Sequence, residues 1–133
     1  MPDTKPTRQQ QRAQAAFRKI SAVKSQRWKV EYGRQCMHLP TLIHQCGLCQ
    51  ALAFLEAKGA DEKKKPWFNA LLNDLADVTG IAANSKALTE ATRRADVLRY
   101  QQMSREALAC AQWLQRYAEA ILKIERGAET GAE

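Results

Sequence analysis

The chain has no long apolar run: the longest uninterrupted ones, such as Ala51 to Leu55, are five residues. A membrane-crossing helix needs roughly 20. The start, Met1-Pro2-Asp3-Thr4-Lys5, lacks the apolar segment of a secretory signal. The expectation is therefore a cytoplasmic chain with no membrane partner. Alternation of β-branched and polar residues between turn signals, the mark of a half-buried strand, is also missing. Catalytic parts are scarce as well. Two histidines offer little general-base capacity, and there is no glycine-rich phosphate loop, no Gly-x-Ser-x-Gly elbow and no acidic pair flanked by histidine. The acidic residues Glu56, Asp61, Glu62, Asp74, Asp77 and Asp96 are dispersed, as on solvated helix faces or at caps. The reading is a non-catalytic protein without cofactor.

What is present suits one globular domain. With 133 residues, 45% hydrophobic and 26% charged, the chain can hide roughly two-thirds of its unfolded surface. Residues 1–126 are read as a single helical domain and residues 127–133 as a flexible C-terminal tail.

Helical periodicity dominates, and the fold class is read as all-α, a compact bundle of about five helices with a long basic first helix. That helix is expected from about Lys5 to Glu31, with Ala13, Ala16, Ile20, Val23 and Val30 recurring at three- and four-residue steps and Gly33 ending it. A second helix is expected from Pro40, at a first-turn position, to Ala57, closed by Gly59. Pro66 opens a third, closed by Thr79-Gly80. Asn84 or Ser85 caps a fourth, reaching roughly Gln101 with Leu88, Ala95 and Leu98 facing inward. In the last helix Met103, Ala107, Cys110, Leu114, Tyr117, Ile121 and Ile124 step by alternating fours and threes. Such spacing is a seam for another helix, read as one of this chain's own.

Charge is unevenly placed. Residues 1–34 hold nine basic side chains, Lys5, Arg8, Arg12, Arg18, Lys19, Lys24, Arg27, Lys29 and Arg34, against Asp3 and Glu31. The remaining twelve basic and twelve acidic groups cancel, so this first quarter carries the whole net charge of +7. At 100° per residue Arg8, Arg12, Arg18, Lys19 and Lys29 share an arc opposite Phe17, Ile20 and Trp28. Mutual repulsion along that arc, unrelieved by nearby carboxylates, favours an anionic partner. Nucleic acid is the expected one, held through phosphates rather than read by sequence. Trp28 and Tyr32, four apart, could stack on bases of a single strand, although core packing is the commoner fate of such a tryptophan.

Two constellations imitate other chemistry. Cys36-x-His38 with His44-x-Cys46-x-x-Cys49 offers zinc-type ligands, but Pro40 interrupts the set and Cys46 and Cys49 lie one turn apart within the expected helix. No metal is assigned. Cys46-Gly47-Leu48-Cys49 looks like a redox motif, yet a helix beginning at Pro40 puts Cys46 nearly two turns in, where the helix dipole has faded. The four cysteines are read as reduced thiols.

Two segments carry a family resemblance. Leu39-Pro40-Thr41-Leu42-Ile43, then Gly47-Leu48-Cys49-Gln50-Ala51-Leu52-Ala53-Phe54-Leu55 and Lys58, resemble the Leu-Pro-x-x-Ile and Gly-Leu-x-Gln-x-Leu-Ala-Phe signature of the small subunit of the type III-B CRISPR effector, the Cmr complex. Tyr32 and Arg12-Ala13-x-x-Ala16 are similar to that family's start. Tyr100, Arg105-Glu106-Ala107-Leu108 and Trp113-Leu114-Gln115-Arg116-Tyr117-Ala118-Glu119-Ala120 resemble its ending. The resemblance spans about residues 12 to 122. It implies an all-α structural subunit without enzymatic activity, several copies of which form the minor filament of an RNA-guided antiviral effector. The implied partners are the backbone and other Cmr subunits, neighbouring copies of itself, crRNA and target RNA.

Two departures from the family pattern remove positive charge: Gln115 stands where Lys is frequent, and Gln101 where Arg is common. The expected RNA contacts are therefore Arg8, Arg12, Arg18, Lys19, Lys24, Arg27, Lys29 and Arg34, with Arg116 from the last helix. Arg12 and Lys19 lead that set. Arg18, Lys24 and Arg27 lie nearer the apolar arc and can snorkel or pair with protein. The alternatives are a free-standing helical DNA-binding regulator, which would need a basic recognition helix after a short turn, and a zinc or thiol protein.

Overall fold

A computed structural model of the chain describes residues 4–125. Among them are six helices and no strand: α1 (Arg8–Val23), α2 (Lys29–Cys46), α3 (Leu48–Lys58), α4 (Pro66–Thr79), α5 (Ser85–Arg94) and α6 (Val97–Ile121). The all-α expectation is met with one helix more than the sequence indicates. The tail, 127–133, lies outside the described residues. No described helix is long and apolar enough to cross a membrane.

α1 starts where Thr7 and Gln10 cap each other: the Gln10 N–H donates to Thr7 Oγ1 at 3.1 Å and the Thr7 N–H to Gln10 Oε1 at 2.7 Å, which satisfies two orphan amides. The helix stops at Val23, well short of the expected Gly33. The Ser25 hydroxyl donates to the Ala22 carbonyl at 3.2 Å, and the Gln26 N–H turns to Val23 at 2.8 Å. A side chain thus takes the carbonyl that would have continued the ladder. Neither Gly nor Pro marks this elbow, and Lys29 begins a different helix. The single basic arc from Arg8 to Lys29 does not exist.

Gly33 and Pro40, expected to end one helix and start the next, both lie buried inside α2. Glycine at 33 reflects a close approach: a Cβ there would stand 2.5 Å from Ile124 Cγ1. Pro40 deprives the Cys36 carbonyl of its helical donor. The neighbouring carbonyl, Met37, accepts an additional hydrogen bond from α6 through Gln115 Nε2 at 2.7 Å. The actual break falls at Gly47, φ 82°, which alone joins α2 to α3; that left-handed conformation favours glycine. Gly59 and Gly80 close α3 and α4, and Pro66 occupies the first turn of α4, as the sequence indicates. Asn84 caps α5, but the helix stops at Arg94 because Asp96 caps α6, accepting the Arg99 N–H at 2.8 Å. Leu98, expected to face inward, is 63% exposed in consequence.

The seam on α6 is satisfied within the chain. Met103, Ala107, Cys110 and Leu114 are buried, Tyr117 and Ile121 are half-buried, and Ile124 is buried just beyond the helix. Gly33 beside Ile124, Met37 with Gln115, and the Cys49 N–H donating to Tyr100 Oη at 2.9 Å show α2 and α3 running antiparallel to α6. α1 lies along the same helix in the parallel sense, with Arg12 beside Glu106 and Phe17 beside Tyr117. α4 closes the core against α1, α2 and α6 through Phe68, Leu71, Leu72 and Leu75. Each such side chain stabilises by about 1.5–3 kcal/mol relative to exposure.

Candidate nucleic-acid interface

Arg8 and Arg12 lie one turn apart on α1, and both reach Glu106 of α6. Arg12 grips the carboxylate with two donors, Nε to Oε2 at 2.9 Å and Nη2 to Oε1 at 2.7 Å, while Arg8 Nη2 approaches Oε2 at 2.5 Å. Paired donors of this kind match carboxylate geometry. The Arg12 hydrogen bond holds the Glu106 carboxyl below its usual value against the opposing effect of burial, and the Arg12 guanidinium is raised in return. One turn along α6, the Cys110 thiol donates to Glu106 at 3.3 Å and is pushed up to about 12, first by burial and then by the carboxylate.

Lys19 is also engaged. Its Nζ stands 2.6 Å from Asp77 and 3.8 Å from Asp74 of α4. Asp74 accepts the Tyr32 hydroxyl at 2.6 Å. Burial raises the Asp74 carboxyl, while Tyr32 and Lys19 pull it down. Tyr32 is fully buried and its phenol is raised by that burial, as is the thiol of Cys36. Tyr32 is thus a core residue and no base-stacking surface. Trp28 is half-buried against it, with ring centroids 6.0 Å apart.

These ion pairs engage cations that the sequence offers as RNA contacts. Arg12 and Lys19, the leading contacts there, lie against carboxylates, so the repulsion in the first quarter is relieved by Glu106, Asp74 and Asp77. Arg18, Lys24 and Arg27 are exposed on α1 and the elbow after it, Lys29 is half-buried at the start of α2, and none pairs with a carboxylate among the described residues. Arg34 is half-buried and borders a shallow cleft with Val30, Leu122 and Lys123. Arg116 is exposed on α6. The structure joins Arg8, Arg12, Phe17 and the outer face of α6 into one surface and directs Lys19 toward α4.

Between α1 and α6 runs a groove of about 310 Å³ lined by Gln9, Ala109, Gln112, Trp113 and Arg116. Behind it the Trp113 and Tyr117 rings stack at 5.7 Å, and Phe17 meets Tyr117 edge-on at 5.5 Å. The charge pattern does not single out Trp113 or Gln9, since the groove exists only once two helices 94 positions apart at Arg12 and Glu106 are joined. The one signal for it in sequence is an exposed glutamine and arginine bracketing a tryptophan on α6.

The cysteine and histidine constellation is dispersed. Cys36 is buried, His38 half-buried, and His44 and Cys46 exposed at the end of α2. Cys49 sits in the first turn of α3, beyond the break, so Cys46 and Cys49 do not share a helix as expected. Among the described residues no three His, Cys, Asp or Glu side chains converge on a point where a metal could sit.

Comparison with known proteins bears on most of the chain. Residues 8–121 match the family model described as CRISPR-associated protein (Cas_Cmr5). A curated relative from Thermus thermophilus, "CRISPR system Cmr subunit Cmr5", is 39% identical over 117 residues, which is 88% of this chain and 97% of that protein. The crystal structure of a CRISPR-associated Cmr5 family protein from the same organism superposes with a TM-score of 0.80 at 38% identity, covering 89% of this chain and 99% of that one.

Proposed function

The chain belongs to the CRISPR-associated Cmr5 family, and on that premise we propose that it is a non-catalytic structural subunit of a type III-B Cmr effector in the cytoplasm. It sits in the minor filament beside the backbone subunits and neighbouring copies of itself, and helps to hold target RNA along the crRNA. The observation carrying the RNA-facing part is the group of cations on α1, its elbow and the start of α2 that have no carboxylate partner among the described residues: Arg18, Lys24, Arg27 and Lys29. Phosphate contacts of this kind add affinity without reading bases. The non-catalytic part is supported by the structural engagement of two largely covered carboxylates. Glu106 ties α6 to α1, Asp74 ties α4 to α1 and α2, and the thiols of Cys36 and Cys110 are buried and hard to ionise.

Charge reversal tests the reading. In the assembled effector, Arg18→Glu with Lys24→Glu and Arg27→Glu is expected to weaken target-RNA association and to flatten its dependence on salt, because every phosphate left unneutralised keeps about one counterion that binding would otherwise release. Incorporation of the variant must stay at the wild-type level. Unchanged affinity and an unchanged salt slope would remove the RNA-facing role and leave a subunit that contacts protein alone.

A further inference from the structure

We propose that the groove between α1 and α6 holds one unstacked nucleobase of single-stranded RNA. Trp113 supplies the stacking surface, the amides of Gln9 and Gln112 meet the base edge, and Arg116 takes the adjoining phosphate. The inference rests on the RNA-facing role above and gives it a position and a chemistry that the free cations alone do not.

The composition of the groove selects its occupant. Its lining holds one indole, two primary amides, one guanidinium and one small apolar side chain, with no carboxylate among them. A nucleotide presents the complementary set: a π face, an edge of donors and acceptors, and one negative charge. An apolar peptide would need more apolar wall than Ala109 and Trp113 provide. An acidic peptide would seek several cations where the groove has one. Each carboxamide carries both donors and an acceptor, and among the described residues neither Gln9 nor Gln112 has a hydrogen-bond partner. Both are exposed and open to a base edge. The volume, about 310 Å³, is at the small end of the ligand range of roughly 300–1,000 Å³.

The indole is held in place before any ligand arrives. Tyr117 stacks against it with an interplanar angle of 27°, and Phe17 abuts Tyr117 at 76°. This chain of three rings fixes the tryptophan from the protein side, so little ordering remains to be done on binding. A strand seated in the groove meets the exposed guanidinium of Arg116 at its wall. Base stacking on an aromatic side chain changes affinity by roughly fivefold or more and tolerates any base, which suits a surface that reads no sequence.

Photocrosslinking in the assembled effector tests the assignment. Target RNA substituted with 4-thiouridine, one position at a time, is expected to crosslink to the tryptic peptide running from Glu106 to Arg116. Gln9→Ala with Gln112→Ala should reduce that yield several-fold, and Trp113→Leu should reduce it at least fivefold, while crosslinks to the α1 elbow persist. The glutamine pair is exposed, so its variant keeps the test decisive if Trp113→Leu fails to incorporate. Crosslinks at the elbow without any at Glu106 to Arg116 overturn the groove and leave the RNA-facing role standing. Crosslinks nowhere on this chain overturn both. A crosslink from the groove to another protein subunit, obtained with a protein-reactive probe at Gln112→Cys and insensitive to RNA, also overturns it.

Discussion

The carboxamide of Gln115 on α6 donates a 2.7 Å hydrogen bond to the main-chain carbonyl of Met37 on α2, 78 positions away and one residue past the carbonyl that Pro40 leaves without its helical donor. Glutamine at position 115 therefore acts inside the bundle, beside the proline irregularity of α2.

Gln115→Ala is expected to lower stability by about 0.5–1.5 kcal/mol, the net value of one hydrogen bond to a carbonyl that keeps its own helical donor, since Met37 lies four residues before Thr41 within α2. Gln115→Lys, which restores donors at the side-chain tip, should recover part of the loss. Urea melts of the three proteins, compared at a common slope, measure both differences.

Glu106→Gln removes the carboxylate that two arginines share, and is expected to destabilise by about 1–3 kcal/mol at pH 7, the range for hydrogen bonds to charged groups. The folded-state carboxyl lies below its unfolded value of about 4.3. Its contribution is complete above that unfolded value and fades as pH falls through the folded one. The gap in melting temperature between wild type and Glu106→Gln should thus be wider at pH 7 than at pH 3. A gap independent of pH would show that the ion pair contributes nothing.

Asp74 gives the opposite slope. Burial raises its carboxyl above the unfolded value of about 3.9, so its contribution is present below that value and is lost as pH rises through the folded one. Asp74→Asn, which still accepts from Tyr32, is expected to gain stability relative to wild type as pH goes from 3 to 7. Thermal melts across that range read the sign, and a relative loss on raising pH would contradict it.

Gly33→Ala places a Cβ 2.5 Å from Ile124 Cγ1, and overpacking of this sort destabilises by about 1–3 kcal/mol. Ile124→Ala removes the clashing atoms and loses its own burial. The double variant should be more stable than the sum of the two single losses predicts, since the sites share one contact. Additive losses in a double-mutant cycle would mean that α2 and the segment after α6 shift apart instead.

Much of the fold was legible because its signals are local. Helical spacing, the proline at 66, the glycines at 59 and 80 and the asparagine cap at 84 act over a few residues, and the structure keeps all of them. The misread boundaries are places where a distant contact overrides the local signal. Gly33 and Pro40 lie inside α2, where Ile124 packs on one and Gln115 of α6 bonds the Met37 carbonyl one turn before the other. The elbow at Ser25 is not legible in the sequence, because a single serine hydroxyl on a helical carbonyl has no distinctive spacing.

By itself, the sequence determined an all-helical chain, an excess of positive charge in its first quarter, a seam on its last helix and the residues of a family signature. All of these follow from residue type and short-range periodicity. Only the tertiary structure decided that Arg8, Arg12 and Lys19 meet carboxylates. Glu106 lies 94 positions from Arg12, and Asp77 lies on another helix from Lys19. A Coulomb partner is chosen by distance in space, within about 4 Å, and not by distance along the chain. The same folding that neutralised Arg12 and Lys19 set Gln9 beside Trp113 and opened the groove between them.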